Sequence, residues 1–147
     1  MPTTILIADD HEVVRQGVRM ILQGLPQWRI CGEAINGRDA VEQAKTLDPD
    51  IIIMDLTMPE MSGIEATREL GRQRMRPSVL IFTMHEAKNL PETARNAGAR
   101  GLVLKSRASQ DLVSALQILA EGGTFFSTMS PDPSPEGTRQ DSPQADA

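Results

Sequence analysis

With 147 residues and ordinary proportions of apolar and charged side chains, the chain is long enough for one globular domain with a core. Its net charge of −5 argues against a nucleic-acid-binding surface, and its single cysteine excludes an intramolecular disulfide. No apolar run approaches the ~20 residues of a membrane span, and the N-terminus lacks the pattern of a signal peptide. We therefore expect a cytoplasmic protein with no membrane partner.

Five short apolar runs predict β-strands, at residues 5–8, 28–31, 51–54, 79–82 and 102–105. Three of these runs are continuous rather than alternating, which favours strands that are covered on both faces. Segments with helical periodicity separate the runs and follow the last one. This alternation predicts an α/β fold, with a parallel sheet and helices on both of its faces.

Three sites along the chain carry signals for helix ends. Ser62 and Glu65 have the spacing of a capping box at the start of the third helix. Ser109 is the expected N-cap of the fifth helix, and Gly122 and Gly123 are expected to end it.

The last part of the chain has a different composition. Residues 127–147 hold four of the ten prolines and four acidic residues against one arginine. They show no apolar periodicity, so the segment has too little apolar surface to offset the entropy lost on ordering. We predict a folded domain over residues 1–126 and a disordered, acidic Pro/Ser-rich tail without an output domain. A linker or a docking peptide is the alternative for this tail.

Polar side chains lie at or just after the carboxyl ends of four of the five predicted strands. Asp9 and Asp10 follow the first strand, Asp55 the third and Thr83 the fourth, and Lys105 ends the fifth. The carboxyl ends of parallel strands meet at one edge of the sheet, where α/β folds form their sites. We therefore expect three carboxylates, one hydroxyl and one ammonium to converge there.

Such a group has a definite chemistry. Clustered carboxylates repel one another unless a cation shares the site, and Mg²⁺ prefers hard oxygen ligands beside phosphate. A carboxylate can attack phosphorus and form an acyl phosphate, while a metal, a lysine and a hydroxyl stabilise the transferred group. The pattern predicts that Asp55 is a phosphoacceptor.

Four segments carry a resemblance to a known family, and they are "ILIADDHEVVRQGV", "IIIMDLTMPEMSGIEA", "VLIFTMH" and "GARGLVLKS". From Ile5 to about Phe126 the chain resembles the response-regulator receiver domain of bacterial two-component signalling. The first and last segments are most similar to receivers that precede a LuxR-type helix-turn-helix. The resemblance implies a CheY-like, flavodoxin-like (βα)5 fold with five parallel strands in the order 2-1-3-4-5.

The resemblance also implies a metal site and a phosphoryl donor. Asp55 would receive a phosphoryl group from a histidine kinase or a phosphotransfer protein. Asp10 and Asp55 would bind Mg²⁺ directly, Asp9 would bind it through water, and the backbone carbonyl of Thr57 would complete the set.

Two further residues would respond to phosphorylation. Lys105 would pair with the acid and then with the phosphoryl group, and Thr83 would hydrogen-bond a phosphoryl oxygen and draw its loop inward. This would switch the surface around the fourth helix and the fifth strand for an unknown downstream protein. Leu102 stands where the family often has an aromatic switch residue. A homodimer through the fourth and fifth helices stays open.

Several residues near the predicted site have less certain roles. His85 and Thr57 lie two residues after Thr83 and Asp55 and are candidates for tuning hydrolysis of the phosphoryl group. His11 is expected to open the first helix at the surface. Glu12 and Arg15 are expected to lie on a solvated face of that helix.

Three functions compete for this sequence. The first is a signalling module that acts through a partner protein or as a phosphate sink, without turnover of other substrates. The second is the N-terminal part of a DNA-binding regulator whose LuxR-type helix-turn-helix is not in this chain. The third is a metal-dependent phosphatase with an aspartyl nucleophile. Such phosphatases often have a second acid two residues after the nucleophile, and Thr57 at that position counts against this function.

Overall fold

Parallel strands form the centre of the computed structural model, which describes residues 2–126. The strands are β1 (Thr3–Ala8), β2 (Trp28–Ala34), β3 (Ile51–Asp55), β4 (Ser78–Thr83), β5 (Gly101–Leu104) and β6 (Phe125–Phe126). Their order in the sheet is β2-β1-β3-β4-β5-β6, and every neighbouring pair is parallel. The predicted five-stranded order is confirmed. The sixth strand has two residues, too short for a recognisable periodicity in the sequence.

Helices cover both faces of this sheet. They are α1 (Glu12–Leu22), α2 (Gly37–Leu47), α3 (Gly63–Arg72), α4 (Leu90–Ala97) and α5 (Ala108–Ala120), with a 3₁₀ turn at Lys105–Arg107. One buried cluster joins α1 and α5 to the sheet, and a second joins α2, α3 and α4 to the other face. No helix among residues 2–126 is long and apolar enough to cross a membrane.

The central strand β3 explains the continuous apolar run of the sequence. Ile51 and Ile53 pack in the cluster with α1 and α5, and Ile52 and Met54 pack in the cluster on the opposite face. All four side chains are at most 1% exposed. A strand that is buried on both faces needs apolar residues at consecutive positions. This strand carries Asp55 to the carboxyl edge of the sheet.

The predicted capping box of α3 is confirmed. Glu65 N donates to Ser62 Oγ at 3.1 Å, and Ser62 N donates to Glu65 Oε1 at 2.9 Å. The turn before it is tight, since a Cβ on Gly63 would lie 2.1 Å from the backbone oxygen of Asp55. Glycine at this position lets α3 begin close to the end of β3.

The predicted N-cap of α5 is wrong. The helix begins at Ala108, so Ser109 lies inside its first turn, and Arg107 occupies the N-cap position without a side-chain cap hydrogen bond. The 3₁₀ turn runs directly into the helix and moves its start upstream of the serine. Arg107 instead pairs with Asp111 at 2.8 Å. The tail predicted at residues 127–147 lies outside the described residues.

The two serines provide a matched test of capping. We expect Ser62→Ala to lower the free energy of unfolding by about 1 kcal/mol, because α3 loses a cap hydrogen bond. Ser109→Ala should change it by less than about 0.5 kcal/mol, because Ser109 caps nothing. Urea unfolding of both variants measures the difference. Equal losses in the two variants would contradict the capping assignment.

Candidate phosphoacceptor site

An ammonium group lies between two carboxylates at the carboxyl edge of the sheet. Asp9 follows β1, Asp55 ends β3 and Lys105 follows β5. Lys105 Nζ is 2.7 Å from Asp9 Oδ2 and 3.1 Å from Asp55 Oδ1. Asp9 is 1% exposed and Asp55 is 6% exposed, so these charges interact with little screening by water. The predicted convergence of these three residues is confirmed.

Asp10 and His11 complete the cluster on its solvent side. One ligand atom from each of Asp9, Asp10, His11 and Asp55 lies within 4.8 Å of the others. His11 Nδ1 is 3.1 Å from Asp9 Oδ1 and 3.2 Å from Asp10 Oδ1. His11 is exposed and occupies the N-cap position of α1, as predicted. Carboxylate oxygens in this arrangement suit a small, hard divalent cation.

The electrostatics of the cluster also favour a cation. Burial raises the pKa of Asp55, the charge of Asp9 raises it further, and the Lys105 ammonium lowers it by less. The three carboxylates therefore carry more negative charge than Lys105 alone compensates. A divalent cation at this edge would relieve their repulsion.

Thr83 ends β4 at the same edge and is fully buried. Its Oγ1 accepts a hydrogen bond of 3.0 Å from His85 N, which holds the first residues of the following loop. His85 Nε2 in turn lies 3.4 Å from Thr57 Oγ1. The two residues singled out as tuning candidates thus contact each other, although they are far apart in the sequence.

Comparison with known proteins identifies the family. Residues 5–117 match the response regulator receiver domain. This chain belongs to the response regulator receiver domain family. It is a signalling domain, and its fold and acidic edge are those expected for a receiver.

Several relatives and solved structures are similar to this receiver. The response regulator UvrY and the nitrate/nitrite response regulator protein NarL, both of Escherichia coli K12, are 36% and 37% identical over 124 and 126 residues. These alignments cover 84% and 86% of this chain but only 57% and 58% of the relatives, so the chain spans little more than half their length. A LuxR-family response regulator from Aurantimonas sp. SI85-9A1 superposes with a TM-score of 0.81 at 36% identity, covering 89% of this chain and 91% of that one.

Arg15 and Glu33 form a hydrogen-bonded pair beside Asp9 that was not predicted from the sequence. Arg15 is not on a solvated face, because its side chain is 14% exposed and Nη1 donates to the Asp9 backbone oxygen at 2.7 Å. Its Nε donates to Glu33 Oε1 at 2.6 Å. One sequence feature could have indicated this arrangement. The four-residue spacing of Arg15 and Arg19 places both guanidinium groups on one side of α1, where they can share an acidic partner. Glu12 is exposed, as predicted.

Leu102, where the family resemblance led us to expect an aromatic residue, lies in β5. It is fully buried and pairs with Ile81 of β4 and with Phe126 of β6. The Phe126 ring lies 4.2 Å beneath the guanidinium of Arg95 on α4. An aromatic ring is thus present on the neighbouring strand, in contact with the fourth helix.

The raised pKa of Asp55 gives a stability prediction with a defined sign. Ionised Asp55 costs folding free energy at neutral pH, so Asp55→Asn should raise the free energy of unfolding by about 1 kcal/mol without divalent cations. This gain should shrink as the pH falls through the raised pKa, because wild-type Asp55 is then protonated too. Urea unfolding at several pH values measures it.

Asp10→Asn serves as the control for this measurement. Its carboxylate is more exposed than that of Asp55, so its removal should have a smaller effect at neutral pH. An Asp55→Asn variant less stable than wild type at pH 7 would contradict the account, since the Lys105 pair would then outweigh the cost of burial.

Proposed function

We propose that Asp55 is the phosphoacceptor of this receiver, taking a phosphoryl group from a histidine kinase or a phosphotransfer protein. The observation that carries the proposal is the buried Asp55 carboxylate, with Lys105 Nζ 3.1 Å away and the acidic cluster beside it. A carboxylate oxygen would attack phosphorus while the bond from phosphorus to the donor nitrogen breaks. The product is an acyl phosphate on Asp55.

The same cluster would hold Mg²⁺. Asp10 and Asp55 would be direct ligands, Asp9 would act through water, and the backbone carbonyl of Thr57 would be a further ligand. Both Asp9 oxygens already accept hydrogen bonds, Oδ2 from Lys105 and Oδ1 from His11 N, which supports an indirect contact. Bound Mg²⁺ would neutralise charge on the phosphoryl oxygens.

Lys105 and Thr83 would stabilise the phosphorylated state. The ammonium that now bridges Asp9 and Asp55 would pair with a phosphoryl oxygen, and the Thr83 hydroxyl would donate to another. Because Thr83 Oγ1 also binds His85 N, its rotation would pull on the loop that leads to α4. The surface formed by α4 and β5 would thereby change its affinity for a downstream protein or a second copy.

Contact between Thr57 and His85 supports a role in the lifetime of the acyl phosphate. The two side chains join the loops that follow β3 and β4, and we expect them to limit the approach of water to Asp55. An unchanged rate of dephosphorylation after replacement of both residues by alanine would remove this role.

A second candidate function is the phosphorylation module of a longer DNA-binding regulator, acting in the cytoplasm. It is favoured by the coverage of the relatives, which include the Bacillus subtilis transcriptional regulatory protein YdfI, matched over 57% of its length at 38% identity. Both candidate functions use the same phosphoacceptor site. They differ in what phosphorylation controls, which is binding of a partner protein in the first and DNA binding by a longer regulator in the second. The acidic chain by itself should not bind nucleic acid, and a steep salt-dependent gel shift at low salt would contradict this.

Phosphorylation by a small donor tests the proposal directly. Incubation with acetyl phosphate and Mg²⁺ should add one phosphoryl group to most of the protein, measured by intact mass spectrometry. Asp55→Asn should gain none, because it lacks the nucleophile, and omission of Mg²⁺ should abolish the gain in wild type. A gain that persists in Asp55→Asn, or no gain under any condition, would contradict the proposal.

A further inference from the structure

The backbone N–H and the carbonyl oxygen of Asp9 both make hydrogen bonds. Its N–H donates to the Ala34 oxygen of β2 at 3.0 Å, and its carbonyl oxygen accepts from Arg15 Nη1 at 2.7 Å. This carbonyl belongs to the peptide group that joins Asp9 to Asp10. The Arg15 hydrogen bond therefore fixes the orientation of that peptide, and with it the direction in which Asp10 leaves the backbone.

Glu33 fixes the guanidinium that makes this contact. Arg15 Nε donates to Glu33 Oε1 at 2.6 Å, and the other Glu33 oxygen pairs with Arg19. Burial by itself would raise the pKa of Glu33, but hydrogen bonds and charges of Arg19 and Arg15 outweigh it and lower that pKa. The planar guanidinium is thus held between a carbonyl and an ionised carboxylate, a charge-assisted and directional arrangement.

A bulge in β2 places the Glu33 side chain on the face of the sheet that α1 and α5 cover. Ile5 pairs with Ile30 but Leu6 pairs with Gly32, so Cys31 is an extra residue in β2. Beyond the bulge the side-chain alternation is reversed, and Glu33 lies opposite Ile7, whose side chain packs in the cluster with α1 and α5. Without the extra residue, Glu33 would face α2 and could not reach Arg15.

We infer that Arg15 and Glu33 form a backbone support for the divalent-cation site, with Arg15 as its positioning residue. The inference rests on the proposed metal-binding function of the acidic cluster. Arg15 touches neither a carboxylate of the cluster nor the phosphoacceptor in this structure, and it acts through the Asp9 carbonyl. With the support removed, the Asp9–Asp10 peptide gains rotational freedom that must be lost again when Asp10 binds the cation.

The affinity for Mn²⁺, read by electron paramagnetic resonance of the free ion, tests this role without any phosphoryl transfer. Arg15→Gln should weaken Mn²⁺ binding about tenfold, the lower end of the range for residues that orient metal ligands. Glu33→Gln should weaken it in the same direction by a smaller factor. Removal of a positive charge near the site would by itself strengthen cation binding, so a weaker affinity reports lost positioning.

Arg19→Gln is the matched control, because Arg19 pairs with the same Glu33 but makes no hydrogen bond or ion pair with Asp9 among residues 2–126. Its Mn²⁺ affinity should stay within about twofold of wild type, far below the tenfold expected for a lost positioning contact. Urea unfolding checks that each variant is folded at the assay temperature, and Glu33→Gln tests the same support if Arg15→Gln does not fold.

Asp10→Asn distinguishes loss of the Arg15 support from loss of the metal site itself. Loss of Mn²⁺ binding in Asp10→Asn together with wild-type affinity in folded Arg15→Gln would overturn the support while leaving the proposed site intact. Equal weakening in Arg15→Gln and Arg19→Gln would overturn it as well. Wild-type protein that binds no Mn²⁺, or binds it without needing Asp10, would overturn both the support and the proposed metal site.

Discussion

The Lys105 ammonium between the carboxylates of Asp9 and Asp55 is the interaction on which the rest of the site depends. It joins the carboxyl ends of β1, β3 and β5, with Nζ–O distances of 2.7 and 3.1 Å. It allows two nearly buried acids to lie side by side, which would otherwise be costly. It does not fully offset their charge, since the pKa of Asp55 remains raised by burial and by Asp9. The uncompensated negative charge at this edge favours a cation there.

Neighbouring elements hold this edge in place from three directions. The capping box of α3 fixes the turn after Asp55, and Gly63 lets that helix start against the Asp55 backbone. From β2, Ala34 binds the Asp9 N–H directly, and Glu33 reaches the Asp9 carbonyl through Arg15. From β4, Thr83 ties its hydroxyl to the loop before α4. The proposed binding of a cation and a phosphoryl group at this edge would benefit from such preorganisation.

The alternation of strand and helix patterns was sufficient to predict the fold class, and the family resemblance implied the strand order. The carboxylates and the lysine of the acidic edge could be predicted because they follow strand ends in a parallel sheet. The capping box at Ser62 could also be predicted, because it depends only on residues three positions apart in the chain. The same kind of local pattern predicted a wrong N-cap at Ser109, because the 3₁₀ turn at Lys105–Arg107 leads into the helix one residue before the serine. Arg15 was assigned to a solvated face because its contact with Glu33 depends on a bulge at Cys31 in β2. The reversal of side-chain alternation at a bulge cannot be predicted from the residues of the strand alone. The two-residue β6 was missed because it pairs only through tertiary context.

Localisation of the phosphoryl group is the most direct test of the central claim that Asp55 is the phosphoacceptor. The protein would be treated with acetyl phosphate and Mg²⁺, reduced with borohydride to convert an acyl phosphate to an alcohol, and digested for peptide mass spectrometry. The account predicts homoserine in place of Asp55 and unmodified aspartate at Asp9 and Asp10. Reduction at Asp9 or Asp10, or a stable phosphate on a hydroxyl such as that of Thr57, would contradict it.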